Sequence, residues 1–225
     1  MKVGTDGVLL GCWCPTPHLT FDIGHLRILD IGTGSGLIAL MLAQRCTDAH
    51  IDAIDIDAEA AAQAAENFAS SPWSERLHAH HCSLQEWRPE EKYHLIVSNP
   101  PYFQNSLKNP DKGRQTARHT DTLSFEELFR RSANLLAENG QLALILPAEA
   151  EAEVRGLAAA ERLSLTRITR VYGKQFKPAR RVLLCFVQFP VSNVQPPIIE
   201  DTLILENEIG GRSAAYQELC KEFYL

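Results

Sequence analysis

A glycine-rich turn placed directly after an apolar run is the feature that most constrains this chain. The stretch 26–31 predicts a buried strand, and an Asp-Ile-Gly-Thr-Gly-Ser-Gly segment begins at Asp30. Gly32, Gly34 and Gly36 permit unusual backbone dihedrals and let a ligand approach the main chain closely. A helical pattern follows, so the segment predicts a strand–turn–helix unit that can bind a nucleotide-like cofactor. The alternative is a tight strand–helix connection without a ligand.

Strand and helix patterns alternate along the chain. Strands are predicted over residues 26–31, 50–54, 77–82, 93–98, 141–146, 163–171, 182–189 and 202–205, and helices over residues 37–45, 57–69, 124–137, 148–160 and 213–221. Such alternation predicts a parallel sheet with helices on both faces. Asn139-Gly140 is predicted to end the third helix. The segment 172–181 is too short for a crossover helix, so its flanking strands are predicted to be antiparallel.

Composition excludes several classes of protein. A chain of 225 residues is long enough for one large α/β domain, and no apolar run approaches the ~20 residues that span a bilayer. The N-terminus lacks the apolar core of a secretory signal, so we expect a cytoplasmic protein. The six cysteines form no Cys-x-x-Cys pair, and the histidines at 78, 80 and 81 lack a fourth ligand. Free thiols and no metal are therefore expected.

Charge is distributed unevenly. The net charge is −6, yet no Asp or Glu occurs between Arg162 and Ile199. That stretch carries seven basic residues: Arg162, Arg167, Arg170, Lys174, Lys177, Arg180 and Arg181. A local basic zone is compatible with phosphate contact, and a solvated surface with chance clustering is the equal alternative.

Two carboxylates accompany the glycine turn. Asp55 is predicted to end the second strand, 19 residues after Gly36, where a carboxylate can accept hydrogen bonds from both hydroxyls of a ribose. Asp30 adds negative charge beside the turn, which suits a ligand bearing an ammonium and a sulfonium and suits a pyrophosphate poorly. Asp55 or Asp57 could instead be a helix N-cap.

A second turn, Asn99-Pro100-Pro101-Tyr102, follows the predicted strand 93–98. An Asn-Pro-Pro-aromatic turn can hold a planar amide or an exocyclic amine beside a cofactor. Pro101 fixes the bend, and Pro100 lacks an N–H that would compete for the site. An ordinary turn is the alternative interpretation.

With these residues, the chain resembles the class I S-adenosylmethionine-dependent methyltransferases. Their α/β fold implies a doubly wound, mostly parallel, seven-stranded sheet with a C-terminal antiparallel hairpin. Within them, Asn-Pro-Pro-Tyr marks enzymes that act on an amino group conjugated to a ring or a carbonyl. Residues 1–11, 117–120 and 223–225 are similar to the bacterial tRNA(Val) adenine-37 N6-methyltransferase family. The resemblance covers the chain as one domain: an N-terminal segment over the cofactor (1–25), a catalytic core (26–190) and a docked extension (191–225).

The resemblance also implies site residues. The cofactor, S-adenosylmethionine, would be bound by Lys2, Gly4, Thr5, Asp6, Asp30, Gly32, Gly34, Asp55, Ile56, Ser83, Leu84 and Asn99. The catalytic residues would be Asn99, Pro100 and Tyr102. The substrate, tRNA, would be contacted by Pro101, Lys108, Arg114, Arg118, His119, Lys174, Lys177, Arg180 and Arg181. Ser83 departs from the family, because many relatives have Asp at the position facing the adenine of the cofactor.

The implied reaction is in-line attack of an adenine N6 on the methyl group. The side-chain oxygen of Asn99 and the carbonyl of Pro100 would each accept one N6 hydrogen, and Tyr102 would stack on the base. The alternatives are a protein-glutamine methyltransferase of the release-factor type, a guanine N2-methyltransferase of ribosomal RNA, and a binding module without chemistry. A monomer that does not bind membranes is expected.

Overall fold

The computed structural model describes residues 4–16, 26–100, 123–188 and 197–223. The helices are α1 (Thr5–Trp13), α2 (Leu37–Arg45), α3 (Ala58–Ala69), α4 (Phe125–Leu135), α5 (Glu151–Ala160) and α6 (Ala214–Leu219). The strands are β1 (Leu26–Ile31), β2 (Ala49–Asp55), β3 (Leu77–His81), β4 (Tyr93–Ser98), β5 (Leu136–Pro147), β6 (Leu163–Tyr172), β7 (Ala179–Gln188) and β8 (Ile199–Ile204). No helix in the described part of the chain is long and apolar enough to cross a membrane.

One sheet runs in the order β3-β2-β1-β4-β5-β7-β6-β8. All neighbouring strands are parallel except that β7 is antiparallel to both β5 and β6. The predicted mostly parallel α/β sheet with an antiparallel C-terminal hairpin is therefore confirmed. Because β6 lies antiparallel to β7, it runs in the same direction as β1 and β4, and so does β8.

The alternation of side chains along each strand builds a core on both faces of the sheet. Ile28 belongs to the apolar cluster that includes residues of α1, α2, α3 and α6, whereas its neighbour Leu29 belongs to the cluster that includes residues of α4 and α5. Leu95 and Ile96 on β4 divide in the same way. Strands buried on both faces explain the near-continuous apolar runs in the sequence.

The strand count differs from the expected seven. The segment predicted as a short strand over 202–205 is longer, Ile199–Ile204, and it joins the sheet beside β6 from Arg167↔Ile199 to Tyr172↔Ile204. Without this eighth strand, β6 would expose an unpaired edge, and exposed edges are usually covered in native sheets.

The Asn139-Gly140 prediction was also wrong. Helix α4 ends at Leu135, and β5 begins at Leu136. The pairing with β4 shifts between Tyr93 and Leu95, so the intervening residues of β5 form a bulge. Asn139 has φ of 60°, which shows that the dipeptide shapes this irregularity in the strand.

Candidate active site at the carboxyl edge of the sheet

The strand order reverses on either side of β1, which has β2 on one side and β4 on the other, both parallel to it. Crevices beyond the carboxyl ends of parallel strands at such a switch point bind ligands. Ile31 pairs with Ile54 and with Ser98. The residues that come next, the glycine turn, Asp55 and Asn99, therefore stand side by side at strand spacings of ~4.8 Å.

The glycine turn has the backbone conformation that its residues predict. Gly32, Gly34 and Gly36 have φ of 70°, 58° and 81°. A Cβ on Gly36 would lie 2.4 Å from Cε1 of Phe68, so this glycine lets the turn pack against α3. A Cβ on Gly32 would meet no atom of the described residues within 4 Å. The turn is thus packed underneath at Gly36 and open to a ligand at Gly32.

Asp55 fixes the turn from the neighbouring strand. Its Oδ2 accepts a hydrogen bond from the N–H of Gly34 at 2.8 Å, and its Oδ1 accepts one from the N–H of Asp57 at 2.9 Å. The helix N-cap is Asp57, whose side chain accepts from the N–H of Glu59 at 2.9 Å. Each carboxylate oxygen of Asp55 keeps a lone pair for a further donor, such as a ribose hydroxyl. Ile56, next to it, is 52% exposed and offers an apolar surface.

Asp30 is fully buried beneath the turn. The hydroxyl of Thr33 donates to its Oδ2 at 2.6 Å, while Oδ1 has no hydrogen-bond partner among the described residues. Burial raises the pKa of Asp30 to about 7, against the hydrogen bonds from Thr33 and the backbone of Ala39, which lower it. A buried carboxylate with an unpaired oxygen is stabilised in its ionised form by a nearby cationic group.

Asn99 and Pro100 follow β4 on the other side of the turn. The hydroxyl of Ser98 donates to the backbone oxygen of Ile31 at 2.8 Å, which holds the two strand ends together. Asn99 is partly buried and Pro100 is buried. The predicted second half of the turn, Pro101 and Tyr102, lies outside the described residues, as do Lys2, Lys108, Arg114, Arg118 and His119.

The N-terminal segment was not assigned to a helix from sequence, and it forms α1. Gly7 and Gly11 face α2: a Cβ on Gly7 would lie 3.3 Å from Cδ2 of Leu37, and one on Gly11 would lie 2.6 Å from the sulfur of Met41. Two glycines one turn apart thus let α1 approach α2 closely. Since α2 begins at the glycine turn, Gly4 and Thr5 at the start of α1 are positioned near the same edge.

Asp6 and Arg181 were predicted to serve different ligands, the cofactor and the substrate. In the structure they form an ion pair, with 2.7 Å between Nε of Arg181 and Oδ2 of Asp6. This contact joins the first turn of α1 to the start of β7. Sequence spacing gave no signal for it, because 175 residues separate the two side chains.

Ser83 and Leu84 follow β3. The hydroxyl of Ser83 donates to Oε2 of Glu86 at 2.8 Å and accepts from the N–H of Glu86 at 3.3 Å, which leaves one acceptor lone pair. The side chain of Leu84 is buried in the core, and its backbone oxygen accepts from Arg131 at 3.1 Å. Arg131 thus stabilises this segment, a role that its position on α4 did not reveal in the sequence.

The hairpin between β6 and β7 ends at the same edge of the sheet. We call residues 173–181 the basic hairpin tip. Lys174 pairs with Glu206 at 3.3 Å, whereas the side chains of Lys177 and Arg180 are exposed. Phe176 at the centre of the tip is exposed as well, and the sequence analysis did not single it out.

Comparison with known proteins places these features in a family. The family model for the Methyltransferase small domain matches residues 17–161. A tRNA1(Val) (adenine(37)-N6)-methyltransferase of Parabacteroides distasonis is 48% identical to the chain, and the alignment covers 100% of the chain and 91% of the relative. A protein of the same name from Flavobacterium johnsoniae is 45% identical, with 100% and 93% covered. The crystal structure of a predicted O-methyltransferase from Agrobacterium tumefaciens shares the fold, with a TM-score of 0.71, 20% identity and 96% of each chain covered.

Proposed function

The chain belongs to the tRNA1(Val) (adenine(37)-N6)-methyltransferase family, and we propose that it methylates N6 of adenine 37 in a tRNA(Val). Relatives with this name are 41–48% identical to the chain over its whole length. Their agreement disfavours the protein-glutamine and guanine alternatives. A tRNA substrate also accounts for the expected cytoplasmic location.

The residues at the carboxyl edge fit S-adenosylmethionine. When bound, this cofactor supplies a methyl group on a positively charged sulfur, which leaves as a neutral thioether. The buried Asp30 with its unpaired Oδ1 suits the cationic methionine end, and the open space at Gly32 allows the cofactor to approach the main chain. Asp55 has lone pairs left for the ribose hydroxyls, and the exposed Ile56 offers a surface to the adenine ring.

Asn99 and Pro100 orient the nucleophile in this proposal. The lone pair of an adenine N6 is delocalised into the ring, so the free amine is a poor nucleophile. Two carbonyl oxygens that each accept one N6 hydrogen favour a pyramidal nitrogen with its lone pair directed at the methyl carbon. The same oxygens stabilise the positive charge that develops on N6, and alignment supplies much of the remaining rate enhancement. The methylated nitrogen carries a positive charge, so its remaining hydrogens are acidic and it releases one proton to water.

One observation carries the proposal: the register of β1 with its two neighbours. Because Ile31 pairs with both Ile54 and Ser98, Asp55 and Asn99 flank the glycine turn on opposite sides. A carboxylate that can hold a ribose and an amide that can hold an amine therefore follow the two strands that flank the glycine turn. The roles of Tyr102, Pro101 and the basic residues from 108 to 119 remain predictions.

RNA as the substrate is supported by charge at the same edge. The exposed Lys177 and Arg180 of the basic hairpin tip can contact phosphates, and such contacts make affinity fall with salt. A base within a helical stack cannot reach the crevice, so the target adenine must be unstacked, as bases in RNA loops can be.

The test is transfer of labelled methyl from S-adenosylmethionine to total RNA from a strain that lacks the enzyme. After digestion, we expect the label in N6-methyladenosine and, by fragment mapping, at position 37 of tRNA(Val). RNA from the parent strain is the control and should accept little label because the site is already modified. Label in another nucleoside would overturn the substrate assignment, and label in protein alone would favour a glutamine substrate.

A further inference from the structure

Phe176 has a larger exposed fraction than any other Phe, Tyr or Trp in the described ranges. It is 95% exposed, whereas side chains such as Phe68, Phe129 and Phe186 are buried in the core. Its φ is 62°, a left-handed conformation that is uncommon for a bulky residue. Non-glycine residues in the left-handed region of φ/ψ space cost conformational energy and are concentrated at functional sites. The exposed ring of Phe176 is therefore a candidate ligand-binding surface.

The ring is located on the substrate side of the sheet. The basic hairpin tip follows the carboxyl end of β6, which is three strands from β4 in the order β4-β5-β7-β6. At ~4.8 Å per strand, the tip is about 14 Å from the turn that carries Asn99. That separation is too large for contact with the target adenine itself and suits a neighbouring nucleotide of the same RNA loop.

A cleft lies beside the ring. It has a volume of about 550 Å³ and lies between the basic hairpin tip and the segment that follows β8. Its lining includes Lys174, Phe176, Thr202, Ile204, Asn207 and Glu208. The cleft is partly open to solvent, and its volume is large enough for one nucleotide.

We propose that this cleft binds a second, unstacked nucleotide of the tRNA, whose base stacks on Phe176. The inference rests on the proposed function, because it assigns a further contact to the same RNA. Aromatic rings are the surfaces on which single-stranded bases stack, and every base has a face that can do so.

The charges around the ring fit a nucleotide. Lys177 next to it is exposed and can pair with a phosphate, and the nearest acidic residues in sequence lie beyond Arg162 and Ile199. Glu206 and Glu208 also line the cleft, and Glu206 is paired with Lys174. Carboxylates accept hydrogen bonds from exocyclic amino groups of bases, so Glu208 is placed for a base edge and Lys177 for the backbone.

The experiment compares Phe176→Ala with Phe176→Trp, and uses Ile209→Ala as the matched control. Ile209 is 93% exposed in the segment that follows β8, and it is not among the residues that line the cleft. Methylation kinetics on tRNA give KM and kcat, and direct titration gives the Kd for tRNA and for S-adenosylmethionine. Because the Phe176 ring is solvated, its removal leaves the core intact, which circular dichroism would verify.

We expect F176A to raise the KM and Kd for tRNA roughly 5- to 100-fold, which is the range for loss of one base–aromatic stack. F176W should keep both values close to those of the parent, because tryptophan also stacks on bases. I209A should match the parent. The Kd for S-adenosylmethionine should not change in any variant. A KM and Kd for tRNA within twofold of the parent in F176A would overturn the inference. So would a change in oligomeric state by light scattering with unaltered tRNA binding, since the ring would then contact a second copy of the chain.

The two proposals fail in different ways. If the parent neither binds nor methylates tRNA, the proposed function and this inference are both refuted. If the parent methylates tRNA and F176A is equally efficient, the function stands and only the stacking site is refuted.

Discussion

The two halves of the carboxyl edge are built in opposite ways. Around the glycine turn, the polar groups are buried or half-buried and linked to one another, as in the contacts of Asp30 with Thr33 and of Asp55 with Gly34. At the basic hairpin tip, Phe176, Lys177 and Arg180 are exposed, and the two basic side chains carry the opposite charge. In the proposed function, the first half binds the small cationic cofactor and the second half contacts the large anionic RNA.

This difference between the two halves is what the binding of two oppositely charged ligands at the carboxyl edge of the sheet would require. A small cofactor is held by a few contacts, so its site must be ordered in advance and protected from water. A large RNA gains affinity from many exposed charges, and these need no packing behind them. Substitutions in the first half should therefore alter folding or cofactor binding, and substitutions in the second half should alter RNA binding alone.

Asn99→Ala tests the boundary between the two halves and should have the largest effect. Loss of one preorganised polar contact to the reacting centre should lower kcat by about 10²–10³-fold, with the Kd for S-adenosylmethionine nearly unchanged. Single-turnover methylation and calorimetric titration measure the two quantities. Asn134→Ala, on the exposed side of α4, is the control and should behave like the parent. Equal turnover in N99A would refute the mechanism.

Gly36→Ala tests whether the crevice is preformed by packing. A Cβ there would lie 2.4 Å from Phe68 at a φ of 81°, so strain and overpacking together should lower the free energy of unfolding by about 2–4 kcal/mol. Gly156→Ala is the matched control, because a Cβ at this exposed position of α5 meets no described atom within 4 Å. It should stabilise the protein by ~0.5–1 kcal/mol. Urea titration measures the free energy of unfolding of both variants. Equal free energies for G36A and G156A would contradict the packing argument.

Asp30→Asn tests the charge of the crevice. Burial raises the pKa of Asp30 to about 7 from an ordinary value of 3.8, so the folded protein retains a proton there that the unfolded chain has lost. By linkage, this group lowers stability as the pH rises from about 4 to 7, and the full cost remains above 7. The variant should therefore be more thermostable than the parent at pH 8. This difference in thermostability should be smaller at pH 4.

The same residue should make cofactor binding pH-dependent. The affinity of the parent for S-adenosylmethionine should rise as the pH increases through 7, because the proposed site places ionised Asp30 near the cationic cofactor. D30N should bind about 10–100-fold more weakly at pH 8 and lack this pH dependence. Asp48→Asn, an exposed acidic position before β2, is the control. A parent affinity that is flat from pH 6 to 8 would contradict the assignment.

Lys177→Ala and Arg180→Ala test the RNA half and should have the smallest effects. Each should raise the KM for tRNA a few-fold and reduce the slope of log Kd against log salt by ~0.7–0.9, as expected for one lost phosphate contact. Stability and cofactor affinity should be unchanged. Lys221→Ala removes a lysine that pairs with Glu218 on α6 and should leave the slope as it is. An unchanged slope in both tip variants would show that the basic hairpin tip is not part of the RNA-binding surface of the protein.

Much of the cofactor half was predictable because its signals are local. The bounds of β1, α2 and β4 were predicted to the residue from apolar runs and the glycine turn. Helix α4 begins with a local contact of the same kind, since the hydroxyl of Ser124 accepts from the N–H of Glu127 at 3.2 Å. Short-range steric and hydrogen-bonding rules decide such features, so they can be inferred from a few neighbouring residues.

The sequence by itself determined the chemical inventory: a strand–glycine turn with two carboxylates, an Asn-Pro-Pro turn after a later strand, and a zone without acidic residues. Only the tertiary structure decided which of these meet. The register of β1 brings Asp55 and Asn99 to either side of the turn, β8 closes the sheet beside β6, and Asp6 pairs with Arg181. These contacts join residues far apart in the chain, and their free energy comes from packing and burial in the complete sheet, which no local pattern encodes.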